Sequence, residues 1–387
     1  MSKPKALLSE SADRRSGVAT ALGNRLTAFL GERYYPALDG VRAISVLLVM
    51  SNHLHSGNAI LRRAPGWTGV DFFCVLSGFL ITTLLLREER ESGSVRLGDF
   101  YIRRFFRIVP IFLLVLLFYF PVAYLGQHGA RWQAFKAALP LYLTFMQEYV
   151  PHGAPFSSSW TLGIEEKFYV VWPLLAFVLL RTLRSRALLA GGFLVMSAGL
   201  YLGMERVSDR AFFDARSYAA LALGALLACL LASKFASAYS RQIGRIPSVL
   251  PSVAVAVTLG LVFYGHKNVL LLDVCIAAFL SHLLLVPSLI RACLASPALV
   301  WVGRRSYSMY LIHLLVMNPM RVVLHPVTIA GELCLLLVAY CVTAAGAHIL
   351  YLFVEEPMRL VGKRVIAKRL RNSKQPAASC STPRISQ

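Results

Sequence analysis

The chain has 387 residues, of which 57% are hydrophobic and 15% charged, and its mean hydropathy is +0.61. Charged residues make up about a quarter of an ordinary soluble domain, so this composition excludes one and indicates a multi-pass membrane protein. Basic residues dominate the remaining charge, with 40 Lys and Arg against 19 Asp and Glu. We attribute the excess to loops on the cytoplasmic side of a membrane, and we expect no nucleic-acid partner.

The chain divides into three parts. Residues 1–36 are polar and basic, lack the apolar core of a cleaved signal peptide, and are expected to be partly disordered or interfacial in the cytoplasm. A transmembrane domain follows over residues 37–358, and a basic, partly disordered cytoplasmic tail over 359–387. Hydrophobic runs predict ten membrane-spanning helices, at about 37–55, 69–86, 108–126, 164–180, 187–203, 216–232, 248–264, 268–290, 306–320 and 328–353. The expected fold is an all-α bundle of about ten transmembrane helices with both termini in the cytoplasm.

Residues 132–150 leave one ambiguity, because this moderately apolar segment is interrupted by Pro140. If it crossed the bilayer, every later loop would change sides, and the basic residues of 181–186 would become external. The positive-inside rule therefore favours ten spans, with 132–150 either re-entrant or lying at the outer interface.

The first span carries more polar groups than a membrane helix normally does, namely Asp39, Arg42, Asn52, His53 and His55. Arg42 and His53 are eleven residues apart, close to three helical turns, so both lie on one face about 16 Å apart along the axis. Asp39 precedes Arg42 by three residues and shares this face. Ionisable groups inside a membrane indicate function by default, and histidine is the side chain suited to removing a proton near neutral pH. The structural alternative is that Arg42 snorkels to the headgroups and His53 caps a loop.

Three arginines stand in the basic loop predicted at 87–107: Arg103, Arg104 and Arg107. Arginine binds phosphate through its bidentate fork, and an acyl group carried on coenzyme A would bring phosphates from the cytoplasm. Arg104 and Arg107 are three residues apart and would share one helical face. Taken singly, such residues are also ordinary topology signals.

Polar groups in other spans complete the candidate set. Glu165 and Glu166 are costly in an apolar helix unless they pair, with Lys167 or Arg42, or serve a site. Ser77 precedes Gly78, and close helix packing is the preferred explanation for both. Asp71 fits an N-cap, and His313 alone fits a satisfied core histidine. We expect no metal site, because no cysteine pair has metal-like spacing and the seven cysteines mostly lie in apolar runs.

Five blocks of this sequence, in order, resemble the acyltransferase 3 family of integral-membrane O-acyltransferases, which act on O-antigens, exopolysaccharides, Nod factors and macrolides. They are LDGVRAISVLLVMSNH, GVDFFCVLSGFLIT, FYIRRFFRIVP, SWTLGIEEKFYVVWP and SYSMYLIH, between about residues 34 and 358. Mild departures are Thr161, Gly163 and Lys167, where the family commonly has Ser, a larger residue and Gln.

The resemblance implies His53 as catalytic base, Arg42 as its essential partner, and Arg104 and Arg107 at the donor. We expect Arg103 to bind the donor as well, because it stands in the same basic segment. Supporting roles fall to the remaining polar candidates, Asp39, Asn52, Ser77, Glu165 and Glu166. The implied reaction moves an acyl group, with acetyl expected, from acyl-CoA as co-substrate to a hydroxyl of a cell-surface or exported carbohydrate. The implied location is the bacterial cytoplasmic (inner) membrane. No hydrolase-like domain of the kind some relatives carry is seen, so we expect the membrane domain to hold the acceptor or to receive it.

Several alternatives stay open at this point. A secondary transporter or flippase of a glycolipid or acylated metabolite would use Arg42 and His53 as coupling groups, but it leaves the arginine-rich segment unexplained. The acceptor, the acyl group, and the choice between direct transfer and a covalent intermediate on His53 or Ser77 are not fixed by the sequence.

Overall fold

The computed structural model describes residues 31–32, 34–54, 58–125, 129–151, 153–203, 209–265, 269–326 and 328–374. Most of the predicted N-terminal segment, His55 and the end of the tail lie outside these ranges. Within them the chain forms helices joined by short turns and contains no β-strand, which confirms the all-α class.

Sixteen α-helices occur in the described residues, numbered here in chain order. Those of the first half are α1 Pro36–Asn52, α2 Ala59–Arg63, α3 Gly69–Ser92, α4 Leu97–Leu125, α5 Ala130–Leu143, α6 Trp160–Leu174, α7 Leu183–Gly203 and α8 Asp209–Ala232. Those of the second half are α9 Ala236–Ile243, α10 Val249–Phe263, α11 Val269–Leu285, α12 Leu289–Leu294, α13 Pro297–Arg304, α14 Ser306–Leu324, α15 Ile329–Leu350 and α16 Glu356–Lys374.

Among the described residues, six helical stretches are long and apolar enough to cross a membrane. They are Leu61–Ser92, Leu97–Leu125, Leu183–Gly203, Asp214–Ala232, Ser306–Leu324 and Ile329–Asn372. The other four predicted spans correspond to the shorter helices α1, α6, α10 and α11, of 15 to 17 residues. A helix of 17 residues is about 25 Å long, somewhat less than the roughly 30 Å hydrocarbon core. Multiple apolar helices thus support a multi-pass membrane protein, and the count of ten stays a prediction.

The structure differs from the prediction at residues 87–107, which do not form one loop. Helix α3 continues to Ser92, and Gly93 ends it in the left-handed conformation at φ 75°, its N–H bonding to Glu89 O at 2.8 Å. Helix α4 begins at Leu97, so Arg103, Arg104 and Arg107 lie on its second and third turns. The prediction failed because Glu and Arg are good helix formers and extend helices beyond the apolar run.

The ambiguous segment forms α5, a 14-residue helix followed by two short 3₁₀ turns. Helices α4 and α6, on either side of it, are antiparallel: Tyr101 donates to Val170 O at 2.9 Å near one end, and Tyr119 stacks on Phe156 at 4.5 Å near the other. The chain between them therefore starts and finishes at the same end of the bundle, in line with the prediction that it makes no net crossing.

Helices α3 and α8 form the close-packed centre of the bundle. A Cβ on Gly78 would overlap the backbone carbonyl of Leu221, so only glycine permits this approach. Asp71, considered above as an N-cap, instead forms an ion pair with Arg216 Nε at 3.0 Å. Both side chains are essentially inaccessible, and the Arg216 guanidinium lies 4.4 Å from the Trp67 ring centroid. The pair ties the first turn of α3 to α8.

Helix α1 lies antiparallel to α3, which defines two ends of the bundle. Gly66 and the start of α3 pack against Leu48 and Ser51 of α1, whereas Arg87, near the other end of α3, reaches the Tyr35 hydroxyl at 3.4 Å. We call these the His53 end and the Asp39 end.

Candidate active site

A cavity of about 730 Å³ lies between α1, α3, α4, α6 and α14, and we call it the main cavity. Its wall consists of Arg42, Val70, Phe73, Ser77, Arg104, Arg107, Ile108, Thr161, Leu162, Glu165, Glu166, Tyr169, Ser306, Tyr307 and Tyr310. Six of the residues singled out from the sequence therefore meet here from four different helices: Arg42, Ser77, Arg104, Arg107, Glu165 and Glu166. Three arginines against two glutamates give this cavity an excess of positive charge.

The arginines of α4 separate according to their helical phase. Arg104 and Arg107 share a face and reach the cavity, and the Arg104 guanidinium lies 4.5 Å from the Tyr169 ring centroid. Arg103 lies on another face, where its side chain is 45% exposed and donates to Glu88 Oε2 at 3.2 Å. Only two of the three predicted donor-binding arginines thus face the cavity.

Glu165 is held by two hydroxyl groups inside the cavity. Ser77 Oγ donates to Glu165 Oε2 at 2.9 Å, and Tyr169 OH contacts the same oxygen. Tyr169 OH also lies 3.0 Å from Ser77 Oγ, so the three side chains form a closed cluster. Ser77 therefore contributes a hydrogen bond, in addition to the close packing that its neighbour Gly78 permits.

Glu166 is the less satisfied of the two carboxylates. Its Oε1 is buried and has no hydrogen-bond partner among the described residues. A buried polar atom of this kind is costly unless something pairs with it. Neither Glu165 nor Glu166 pairs with Lys167, because the Lys167 ammonium contacts Glu148 instead. The Glu148 carboxylate lies where a side chain larger than that of Gly163 would stand. Two departures from the family pattern thus belong to one ion pair beside the site.

A second cavity of about 720 Å³ adjoins the first at the Asp39 end, and we call it the entrance cavity. Arg42, Arg104 and Arg107 belong to the walls of both. Asp39 lies 3.6 Å from Arg42 Nη1, as their spacing predicts, and it accepts a hydrogen bond of 2.7 Å from the Tyr34 hydroxyl. Burial and this bond to Asp39 raise the pKa of Tyr34, which therefore stays protonated as the donor.

The other end of α1 holds a contact that the sequence did not reveal. His313 of α14 is 1% exposed, and its Nε2 lies 3.3 Å from His53 Nδ1. His313 Nδ1 is 2.5 Å from Tyr310 O, and His53 Nδ1 is 2.9 Å from Val49 O. Carbonyl oxygens only accept, so these bonds assign the proton to Nδ1 in both neutral rings. His53 Nδ1–H is then shared between Val49 O and His313 Nε2, and Nε2 is the basic nitrogen of His53.

His53 itself does not belong to the wall of the main cavity, but Tyr310 does. The Tyr310 hydroxyl bonds to Thr161 Oγ1 at 2.6 Å and to Ser158 O at 2.5 Å, which closes the cavity on this side. The connection from the cavity to His53 therefore runs through Tyr310 and His313. Asn52, another predicted supporting residue, is exposed beside His53.

Known proteins share sequence similarity with this chain over most of its length. The sequence profile of the acyltransferase domain family matches residues 35–352. OatA of Staphylococcus aureus (strain NCTC 8325 / PS 47), named an O-acetyltransferase, is 28% identical over 377 residues, which cover 89% of this chain and 60% of OatA. YrhL of Bacillus subtilis (strain 168), provisionally named a peptidoglycan O-acetyltransferase, is 28% identical over 369 residues, covering 87% of this chain and 57% of YrhL.

A third relative, from Staphylococcus aureus (strain COL) and provisionally named an O-acetyltransferase, is 28% identical over 373 residues, covering 88% of this chain and 60% of that protein. The chain thus spans about 60% of the length of these curated relatives. No solved structure matches it. Since the family profile covers most of its length, the chain belongs to the acyltransferase 3 family.

Proposed function

We propose that the protein is a membrane-bound O-acyltransferase that moves an acyl group, expected to be acetyl, from acyl-CoA to a hydroxyl of a cell-surface or exported carbohydrate. One observation carries the proposal: Arg42, Arg104 and Arg107 converge on a cavity that ends at Tyr310, and the His313–His53 pair lies behind Tyr310. The names of the relatives support an acetyl group and an oxygen acceptor.

The donor enters from the Asp39 end, which we take as the cytoplasmic side of the bacterial inner membrane. Arg104 and Arg107 stand where the entrance and main cavities join, so a phosphorylated donor meets positive charge on its way in. Beyond them the mixed polar and apolar walls suit a pantetheine arm and its thioester.

His53 Nε2 acts as the general base in this mechanism. It takes the proton from the acceptor hydroxyl, and the oxygen attacks the thioester carbonyl. The carbon–sulfur bond then breaks, and the departing CoA thiolate takes the proton back from the imidazolium. Because Tyr310 and His313 stand between the cavity and His53, the mechanism requires the cavity to extend past Tyr310 when both substrates are bound.

The remaining polar residues position the cavity wall and set its charge. Arg42, fixed by Asp39, supplies positive charge where the entrance and main cavities join and helps to hold the donor there. Glu165 is fixed by Ser77 and Tyr169 and keeps the cavity wall ordered. Direct transfer to the acceptor needs no covalent step on Ser77.

The test uses purified protein in lipid nanodiscs, with acetyl-CoA radiolabelled in the acetyl group and glycans extracted from the envelope of the producing cells. We expect label in the glycan fraction, in an alkali-labile ester. A parallel assay in proteoliposomes follows uptake of the same glycans. Glycan movement without label transfer would favour a transporter and contradict the proposal.

A further inference from the structure

We infer that the phosphates of the donor's nucleotide bind in a third cavity at the Asp39 end, on Arg90, Arg181 and Lys234. We call it the basic cavity; it measures about 1170 Å³, including space open to solvent, between the ends of α3 and α8 and the start of α7. The inference rests on the proposed function and names the part of the site that recognises the nucleotide.

Charge is the first reason. The wall of the basic cavity contains one acid, Glu89, and its carboxylate is bonded through both oxygens to Arg186, at 2.5 and 2.7 Å. Arg186 also donates to Ala176 O at 2.6 Å, so the Glu89–Arg186 ion pair has a structural role. Among the described residues, no carboxylate lies within ion-pair distance of Arg90, Arg181 or Lys234. Three cations thus face one cavity without a counter-charge, which suits a ligand with several negative charges.

Continuity with the site is the second reason. The basic cavity and the entrance cavity share Thr83 and Arg87, and the entrance cavity in turn shares its arginines with the main cavity. The three cavities therefore adjoin one another from the bundle's edge to Ser77. Arg90 is thirteen residues from Ser77 on α3, or about 20 Å along the helix axis. With the nucleotide at Arg90, the diphosphate and the pantetheine arm extend through the entrance and main cavities toward Tyr310.

The neighbouring cavity on the other side of α3 makes a useful contrast. Its wall contains Glu88 and Glu91 beside Arg87 and Arg96, so acids offset its basic residues. A polyphosphate ligand would be attracted to the basic cavity and not to this one. The same attraction also holds for an anionic lipid headgroup, which the experiment must separate.

The experiment measures binding, which needs no acceptor. Radiolabelled CoA, dephospho-CoA and pantetheine are titrated against purified protein in phosphatidylcholine nanodiscs. We expect the order CoA, dephospho-CoA, pantetheine, each step weakening binding about three- to tenfold, since the cations are exposed. Arg90→Gln combined with Arg181→Gln should weaken CoA binding by a similar factor and leave pantetheine binding unchanged. Arg241→Gln, an exposed cation on α9 away from the three cavities, is the matched control.

Each outcome has one meaning. If CoA binds wild type but the double variant binds it equally well, the basic cavity does not hold the nucleotide and this inference is wrong. If neither CoA nor pantetheine binds wild type, the donor assignment in the proposed function fails as well. A last experiment tests lipid binding by native mass spectrometry of nanodiscs that contain phosphatidylglycerol. If the double variant loses bound lipid while its affinity for CoA is unchanged, the cavity binds lipid and the inference is overturned.

Discussion

His313 Nε2 lies 3.3 Å from His53 Nδ1, although 260 residues separate the two in sequence. This contact, with the bond from His53 Nδ1 to Val49 O, fixes both the tautomer and the orientation of the His53 ring. A general base works when its lone pair is held toward the proton it removes, and here the partner that holds it is another imidazole.

His313 should therefore act as a positioning residue for His53. His313→Phe removes the acceptor for His53 Nδ1–H, and a neutral hydrogen bond is worth about 0.5–1.5 kcal/mol, so we expect kcat to fall about 2- to 10-fold. The KM for acetyl-CoA should stay unchanged, because donor-binding residues are untouched. His313→Gln can both accept from His53 and donate to Tyr310 O, and it should restore most of kcat. Equal kcat in the Phe and Gln variants would contradict the positioning role.

Substitutions of the α4 arginines should differ in their effect on the KM for acetyl-CoA. Arg104→Gln and Arg107→Gln each remove a cation from the main cavity, and a hydrogen bond to a charged group is worth about 1.5–3 kcal/mol, so KM for acetyl-CoA should rise by at least about tenfold. Arg103→Gln should change KM far less, because that guanidinium already pairs with Glu88 outside the cavity. Steady-state kinetics check the ranking. An effect of Arg103→Gln as large as that of Arg104→Gln would mean that the donor lies on another face of α4.

Helix packing gives a prediction with a close control. Gly78→Ala places a Cβ against the Leu221 carbonyl and should force α3 and α8 apart, at a cost of about 1–3 kcal/mol. Gly191→Ala, on α7, adds the same methyl group where no atom other than the adjoining backbone of its own helix lies within 4 Å. Thermal denaturation followed by size-exclusion chromatography should show a lower midpoint for Gly78→Ala only. Similar midpoints for the two variants would show that the α3–α8 contact is looser than described.

The Asp71–Arg216 ion pair should stabilise the fold without serving the reaction. Arg216→Gln leaves a buried carboxylate unpaired, and breaking a buried pair in this way costs roughly 3–5 kcal/mol. Adding Asp71→Asn removes the carboxylate that Arg216 contacts directly, but the buried carboxyl of Asp273 beside it remains, so the double variant should regain only part of the stability. The same denaturation assay measures both proteins. A double variant less stable than Arg216→Gln alone would show that Asp71 stabilises the fold through contacts other than the one with Arg216.

Much of the site could be predicted from sequence because its parts are periodic within single helices. The spacings of Asp39 to Arg42 and of Arg104 to Arg107 place each pair on one face, and the structure agrees. Periodicity cannot show which helices are neighbours, and so it missed the contact of His313 with His53 and of Asp71 with Arg216. It also treated residues 87–107 as a loop, since apolar length marks where a helix leaves the membrane and not where it ends.

Acetyl transfer by His53→Ala tests most directly whether His53 is the general base. The assay compares wild type, His53→Ala and a control variant, His325→Asn, in nanodiscs with labelled acetyl-CoA and envelope glycans. His325 has the left-handed conformation at φ 38°, which asparagine tolerates. Loss of general base catalysis should slow transfer by roughly 10²- to 10⁴-fold in His53→Ala, with CoA binding retained and the control unaffected. Transfer by His53→Ala at the wild-type rate would contradict the account.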